Sequence, residues 1–370
     1  MDNNDIAFLS ASEISRGILE GQLTPVEVVQ TYLDRIDRLD PSLSAYITVT
    51  REEALGHAEA ITQTIKSGLN PGSLAGVPIA IKDQFWTKGI LTTNGSNVYK
   101  DFVPETDATV VERLKNAGAI LLGKLNLSEL AMGGTQNPPW GIPANPWDLE
   151  RTPGESSSGS GVALSAHLCA ASVGEDTGGS GRGPAAYCGV VGMRPTFTRV
   201  SRFGMTHMCW FMDTAAPMTK TVEDCARVLG AIAGYDPKDP YSSRKFVPDY
   251  TQGLNQGVAG LRVAVIRELY QHNDMDPDVR ASIEDSLNVF RELGAEIKEV
   301  SIPLVESAGA IFVGIADTEG AGARDEILRN RPFDLDPASR TRLQSAALVP
   351  HKIYNRAAKA RVLLRRQFME

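Results

Sequence analysis

Long hydrophobic runs are what this 370-residue sequence most lacks. The longest apolar stretch, near Ala308 to Ala316, falls far short of the ~20 residues a helix needs to cross a bilayer, which argues against a membrane partner. The opening MDNNDIAFLSASEIS has no basic segment followed by an apolar one, so no secretory signal is read and a cytoplasmic location is expected. Cysteine is scarce. Cys169, Cys188, Cys209 and Cys225 show no C-x-x-C spacing, which argues against a disulfide frame or a zinc site and leaves buried thiols. Neither a metal nor a cofactor is expected. Positive charge is in deficit: 37 Lys and Arg against 45 Asp and Glu give a formal net charge of −8, without the electrostatic footprint of a nucleic-acid binder. The expected partner is a small molecule.

Common catalytic motifs are also missing. There is no G-x-x-x-x-G-K-[ST], G-x-G-x-x-G, H-E-x-x-H or G-x-S-x-G, which removes the best signals for nucleotide binding, zinc proteolysis and an α/β-hydrolase elbow. The five histidines are scattered and do not suggest a Ser-His-Asp triad. Ser242 and Lys245 form an S-x-x-K in a loop-like stretch without a K-T-G, so chance accounts for it.

What is present is ordinary globular usage, 42% hydrophobic and 22% charged, enough to bury a sizeable core. Ser10 with Glu13, and Thr24 with Glu27, fit the capping box, and Pro25 stands at a first helical position. The second of these helices carries Val29, Tyr32, Ile36 and Leu39 at helical spacing and is expected to end near Pro41. VPIAI after Gly76 reads as a strand buried on both faces, followed by Lys82 and Asp83. Asp107 is expected to cap a helix through Lys115, Gly118 to stop it, and AILLG to form the next buried strand. LRVAVI from Leu261, a helix from about Asp278 to Leu293, and EIKEVSIP repeat the alternation. The expected fold is therefore α/β, a large mixed and mainly parallel sheet with helices on both faces.

The unusual stretch runs from Thr152 to Pro195, where two Gly/Ser clusters flank an Ala-rich segment. Such loops expose backbone N–H groups suited to negative charge, including a developing oxyanion. A serine nucleophile without histidine needs another base, and a lysine serves if burial lowers its pKa. Lys82, at the end of a buried strand, is the candidate. Alone it would read as a solvated lysine, and Ser156 and Ser180 alone as turn residues; the combination singles them out.

From about Leu9 to Glu370 these segments resemble the amidase signature hydrolases. GVPIAIKD is similar to the family's lysine strand, TPGESSSGSG to its first serine loop (P-G-G-S-S-G-G-S), and GEDTGGSGRGPAAYCGVVGMRPT to its second (G-T-D-T-G-G-S-I-R, then G-L-K-P-T). TRVSRFG and APMTKTVEDCARVLGAIAGYDPKDP match further stretches. The resemblance implies Lys82 as base, Ser156 as a relay held in a cis peptide, Ser180 as nucleophile, and Thr177, Gly178 and Gly179 as the oxyanion hole. It also implies Met132, Gly133 and Gly181 at the substrate. One domain over residues 1–370 is expected, with 1–70 helical and 71–240 the catalytic core, and with the family's later strands missing beyond Glu370.

Glu155, Gly181 and Gly183 depart from the family pattern beside the serines. Glu155 stands for glycine before the relay serine, and its carboxylate is expected to face solvent. Gly181 and Gly183 replace larger apolar residues around Arg182, which is expected to widen the pocket. The leading expectation is hydrolysis of a neutral, bulky or aryl-substituted amide or carbamate, with a homodimer left open. The alternative is the glutaminase A subunit of a tRNA-dependent amidotransferase. A non-catalytic relative is disfavoured because Lys82, Ser156 and Ser180 are all retained.

Overall fold

The structure, a computed structural model, describes residues 6–133, 139–272 and 274–370. Both capping boxes form at the amino end. Ser10 and Glu13 open α1 (Ala11–Leu19), and Thr24 and Glu27 open α2 (Pro25–Leu43), each pair exchanging side-chain-to-backbone bonds. Pro41 does not end α2. It lies in the last turn, and the helix stops two residues later where Ser44 turns left-handed, while the Asp40 carboxylate accepts the N–H groups of Ala45 and Tyr46 at 2.7 and 3.2 Å.

The stretch expected to be helical to residue 70 also supplies a strand, β1 (Tyr46–Val49), before α3 (Arg51–Lys66). After it come β2 (Pro78–Lys82), α4 (Thr109–Asn116), β3 (Ile120–Leu125), α5 (Ser158–Ser165), β4 (Ala171–Glu175), α6 (Arg182–Cys188), β5 (Val191–Gly192), β6 (Ala215–Thr219) and α7 (Val222–Ile232). Asp107 does not cap α4. Its two oxygens are taken by the Lys88 N–H and the Lys115 ammonium, both at 2.7 Å, and Ala108 occupies the cap position.

The six strands align in the order β1-β3-β2-β4-β6-β5. β2 runs parallel to both β3 and β4, while β1 and β6 run antiparallel to their neighbours, so four of the six strands share one direction. This is the mixed, mainly parallel α/β architecture expected. Every residue of β2, β3, β4 and β6 is buried, as continuous apolar runs in a helix-covered sheet require.

The chain divides into two compact units: Met1–Thr251 with Gly320–Gln344, which contains the six-stranded sheet, and Gln252–Glu319 with Ser345–Glu370. In the second, β7 (Arg262–Ile266) and β8 (Glu296–Val300) pair in parallel around α8 (Pro277–Glu292), close to the boundaries read from the sequence, and α9 spans His351–Met369. All four cysteines are buried, and none forms a disulfide among the described residues. Among the described residues no helix is long and apolar enough to cross a membrane.

Candidate active site

Parallel pairing of β2 with β4 sets the site. Ile81 lies opposite Val173, so Lys82 and Glu175 emerge side by side at the carboxyl ends of adjacent strands, where open α/β sheets place their ligands. Lys82 Nζ lies 2.8 Å from Ser156 Oγ and 3.0 Å from Glu175 Oε2, and the Lys82 and Glu175 side chains have no exposed surface. Burial lowers the Lys82 pKa from its ordinary value, opposed by the Glu175 carboxyl. Burial likewise pushes Glu175 up to about 7, with the Lys82 charge working against it. Asp83, adjacent in sequence, does not face Lys82. It pairs with the buried Lys124 at 2.9 Å and accepts the N–H and hydroxyl of Thr93.

The serine loop is pinned to the sheet. Ser156 follows a cis peptide bond with Glu155. Next to it, Ser157 Oγ accepts the Glu175 N–H at 3.1 Å and donates to the Glu175 carbonyl at 3.0 Å. Gly159 then lets the start of α5 press against the chain, since a Cβ there would lie 2.5 Å from Ala45 O and 2.6 Å from Asn126 O.

Asp176 organises the second loop. Its carboxylate accepts N–H groups from Gly179 (2.9 Å), Gly181 (3.2 Å) and Arg182 (3.3 Å), together with the guanidinium groups of Arg182 and Arg194. Burial would raise its pKa, but the bonds and charges of the two arginines outweigh that and hold it below the usual range. Arg194 also donates to the carbonyls of Asp176 and Met212. Ser180 lies half-buried at the end of this loop beside the exposed Gly178. Of the three N–H groups expected to form an oxyanion hole, that of Gly179 is taken by Asp176, whereas those of Thr177 and Gly178 make no hydrogen bond among the described residues.

A buried lysine on a buried serine, beside a glycine loop ending in a half-buried serine, is an arrangement for acyl transfer without histidine. The Amidase family model matches residues 27–370. The chain belongs to the Amidase family. Members are hydrolases acting on carbon–nitrogen bonds. The A subunit of the glutamyl-tRNA(Gln) amidotransferase from Bdellovibrio bacteriovorus is 39% identical over 99% of this chain and 80% of its own length. Its counterpart from Carboxydothermus hydrogenoformans is 43% identical over 86% of this chain and 65% of its own length, so just under two thirds of that amidase relative is spanned. A solved structure of a vestigial protein complex, described as revealing the evolutionary origins of an s-triazine catabolic enzyme, superposes with a TM-score of 0.92 at 35% identity, covering 97% of this amidase and 78% of that chain.

The residues expected at the substrate are distributed differently from the sequence reading. Gly181 does not widen a pocket. It is buried, and a Cβ there would meet Ala216 Cβ at 2.5 Å and Asp176 Cβ at 3.2 Å. Gly183 does leave room, since its nearest neighbour, Glu155 O, is 4.0 Å away. Met132 is buried in the core, and its carbonyl accepts a bond from Arg342. Gly133 has a left-handed φ of 77° and donates its N–H to Ser128 Oγ at 2.9 Å. The exposed Glu155 lays its carboxylate over the Gly133 Cα, where a side chain would stand. Sequence reasoning missed Ser157, Glu175, Asp176, Arg194 and Asp213. Ser157 and Asp176 fall inside the family strings P-G-G-S-S-G-G-S and G-T-D-T-G-G-S-I-R, and Glu175 stands where the second has its first threonine.

Proposed function

We propose that this amidase cleaves a carboxamide through a Ser180 acyl-enzyme, and that its substrate is the side-chain amide of glutamine, with the chain serving as the glutaminase component of a tRNA-dependent amidotransferase. Neutral Lys82 takes a proton from Ser156, Ser156 takes one from Ser180, and Ser180 Oγ attacks the carbonyl carbon. The N–H groups of Thr177 and Gly178 meet the developing oxyanion, each such donor contributing about 3 kcal/mol. The relay returns the proton to the leaving nitrogen, ammonia departs, and water hydrolyses the ester. The observation that carries this reading is the fully buried 2.8 Å contact between Lys82 Nζ and Ser156 Oγ.

For the substrate, the amidotransferase relatives at 39% and 43% identity support glutamine over the bulky aryl amide or carbamate. The case for a bulky substrate rested on two glycines, and Gly181 no longer supports it because Ala216 and Asp176 fill the space beside it. A stand-alone amidase acting on larger amides is the second reading, favoured by the open space at Gly183. Ammonia release from glutamine and aniline release from a panel of anilides separate the two, measured on the pure chain and on material recovered from its native host. Co-purification with two further subunits and glutamine turnover supports the first. Unaided anilide turnover with no glutamine turnover overturns it. A fluorophosphonate probe should label Ser180, and labelling that persists in Ser180→Ala would refute the nucleophile.

A further inference from the structure

One hydroxyl in this site touches two carboxyl groups. Thr177 Oγ1 lies 2.5 Å from Glu175 Oε1 and 2.7 Å from Asp213 Oδ1, all three side chains being buried. A threonine hydroxyl has a single proton to donate. If both acids were ionised, one of them would face the lone pairs of Thr177 Oγ1 at hydrogen-bond distance with no hydrogen between them. One of the two acids therefore carries a proton.

The donors around each acid decide which. Asp213 accepts the Met208 N–H at 2.8 Å and the Cys209 N–H at 3.0 Å, and lies 3.4 Å from His207 Nδ1. Backbone donors of this kind favour an anion. The buried Arg324, bonded to the His207 carbonyl at 2.6 Å, adds positive charge on that side. Glu175 receives no backbone N–H among the described residues, only Thr177 and Lys82. The remaining nearby acid, Asp176, is held by Arg182 and Arg194.

We propose that Glu175 and Lys82 share one proton and that it resides on Glu175 Oε1, so that Lys82 stands neutral against Ser156. The hydrogens between these groups then have places. Glu175 Oε1–H donates to Thr177 Oγ1, and Thr177 donates to Asp213. Lys82 Nζ donates one N–H to Glu175 Oε2, and its lone pair accepts the Ser156 hydroxyl. The elevated pKa of Glu175, about 7, agrees with this assignment. Glu175 is thus a positioning residue that keeps the lysine deprotonated without solvent access. When Lys82 takes the Ser156 proton it becomes an ammonium beside a neutral acid, and no carboxylate traps it there, so the proton can return to the leaving nitrogen.

The inference rests on Lys82 being the base of the hydrolysis proposed above, and its test separates the two. Infrared spectra of wild type and Glu175→Gln at neutral pH, with isotope-labelled glutamate carboxyls, report whether Glu175 is protonated whatever the protein hydrolyses. A carboxylic-acid band present in wild type and absent from the variant is expected. The second measurement is the pH dependence of Ser180 labelling. Glutamine resembles the protonated acid, so the acidic limb should stay in place in Glu175→Gln. If Glu175 is instead an anion, removing its charge should move that limb to lower pH by about one unit or more. Absence of the band, or such a shift, overturns the proposal. Should Glu175→Gln fail to fold, loss of the labelled band on alkaline titration of wild type supports the assignment, and no acid band at any pH above 6, well above the ordinary glutamic acid value of about 4.3, overturns it. Failure of Ser180 to label at all would instead count against the hydrolytic reading.

Discussion

Replacing Lys124 with methionine strands Asp83. The pair is 2.9 Å apart with neither side chain exposed, and Lys124 also donates to Phe85 O at 2.9 Å and Thr92 Oγ1 at 2.7 Å. Methionine fills similar space but restores none of these bonds. Removing one member of a buried ion pair costs about 3–5 kcal/mol, mostly because the other charge remains buried. Lys82→Met removes a lysine that is equally buried, from the neighbouring strand. If Glu175 holds its own proton, that change leaves a neutral acid and lost hydrogen bonds, costing about 1–2 kcal/mol. Urea unfolding at neutral pH should therefore give a much larger midpoint loss for Lys124→Met than for Lys82→Met. Activity should run the other way: Lys82→Met abolishes Ser180 labelling, while the folded fraction of Lys124→Met still labels. Adding Asp83→Asn to Lys124→Met should recover part of the lost stability. Equal destabilisation by the two lysine variants would refute the reasoning, since it would mean that Lys82 also neutralises a buried anion.

Gly181→Ile drives a side chain into Ala216 and Asp176, so turnover of small and bulky amides should fall by similar factors; selective loss of bulky substrates would show that the side chain enters the substrate space instead. Gly183→Ala meets open space and should change fluorophosphonate labelling rates less than threefold, about 0.6 kcal/mol. Arg194→Met removes a charge from Asp176 and bonds to two carbonyls, and should slow labelling of Ser180 by roughly tenfold or more, about 1.4 kcal/mol, with the secondary structure intact by circular dichroism. His167 has its pKa lowered from 6.5 to about 4, chiefly by burial and then by Lys220 and Arg35, so it folds neutral. Its contribution to stability is present above pH 6.5 and lost as pH falls toward 4, and wild type should lose midpoint over that window faster than His167→Gln.

Much of the fold was legible because its signals are local. A capping box needs only residues three apart, and VPIAI or AILLG declares a buried strand without reference to anything distant. Local signals also misled. Asp107 precedes a helix and looks like a cap, yet Lys88 and Lys115 compete for its oxygens and win. β1, four residues long within a helical region, was hidden because its burial pattern shows only once β3 lies beside it.

In the candidate site, Lys82, Ser156 and Ser180 stand out by motif order, but the groups that touch Lys82 and Thr177 do not. Lys82 and Glu175 are 93 residues apart, and Thr177 and Asp213 are 36, so their contacts exist only through strand pairing and loop return. Asp83 is the acid next to Lys82 in the sequence, and adjacency alone would pair the two. In a strand, however, successive side chains point to opposite faces, and the residue after a base is poorly placed to touch it. Asp83 accordingly meets Lys124 on β3, while Lys82 meets an acid delivered by β4. The two lysines share burial, strand-end position and a carboxyl partner. What distinguishes them is how each acid is otherwise supplied with hydrogen-bond donors. Asp83 takes the N–H and hydroxyl of Thr93 at one oxygen and Lys124 at the other. Glu175 accepts no backbone N–H among the described residues and faces a hydroxyl that also meets Asp213. On the reading proposed above Lys82 serves as a base and Lys124 does not, and the difference lies in atoms two contacts away from either nitrogen.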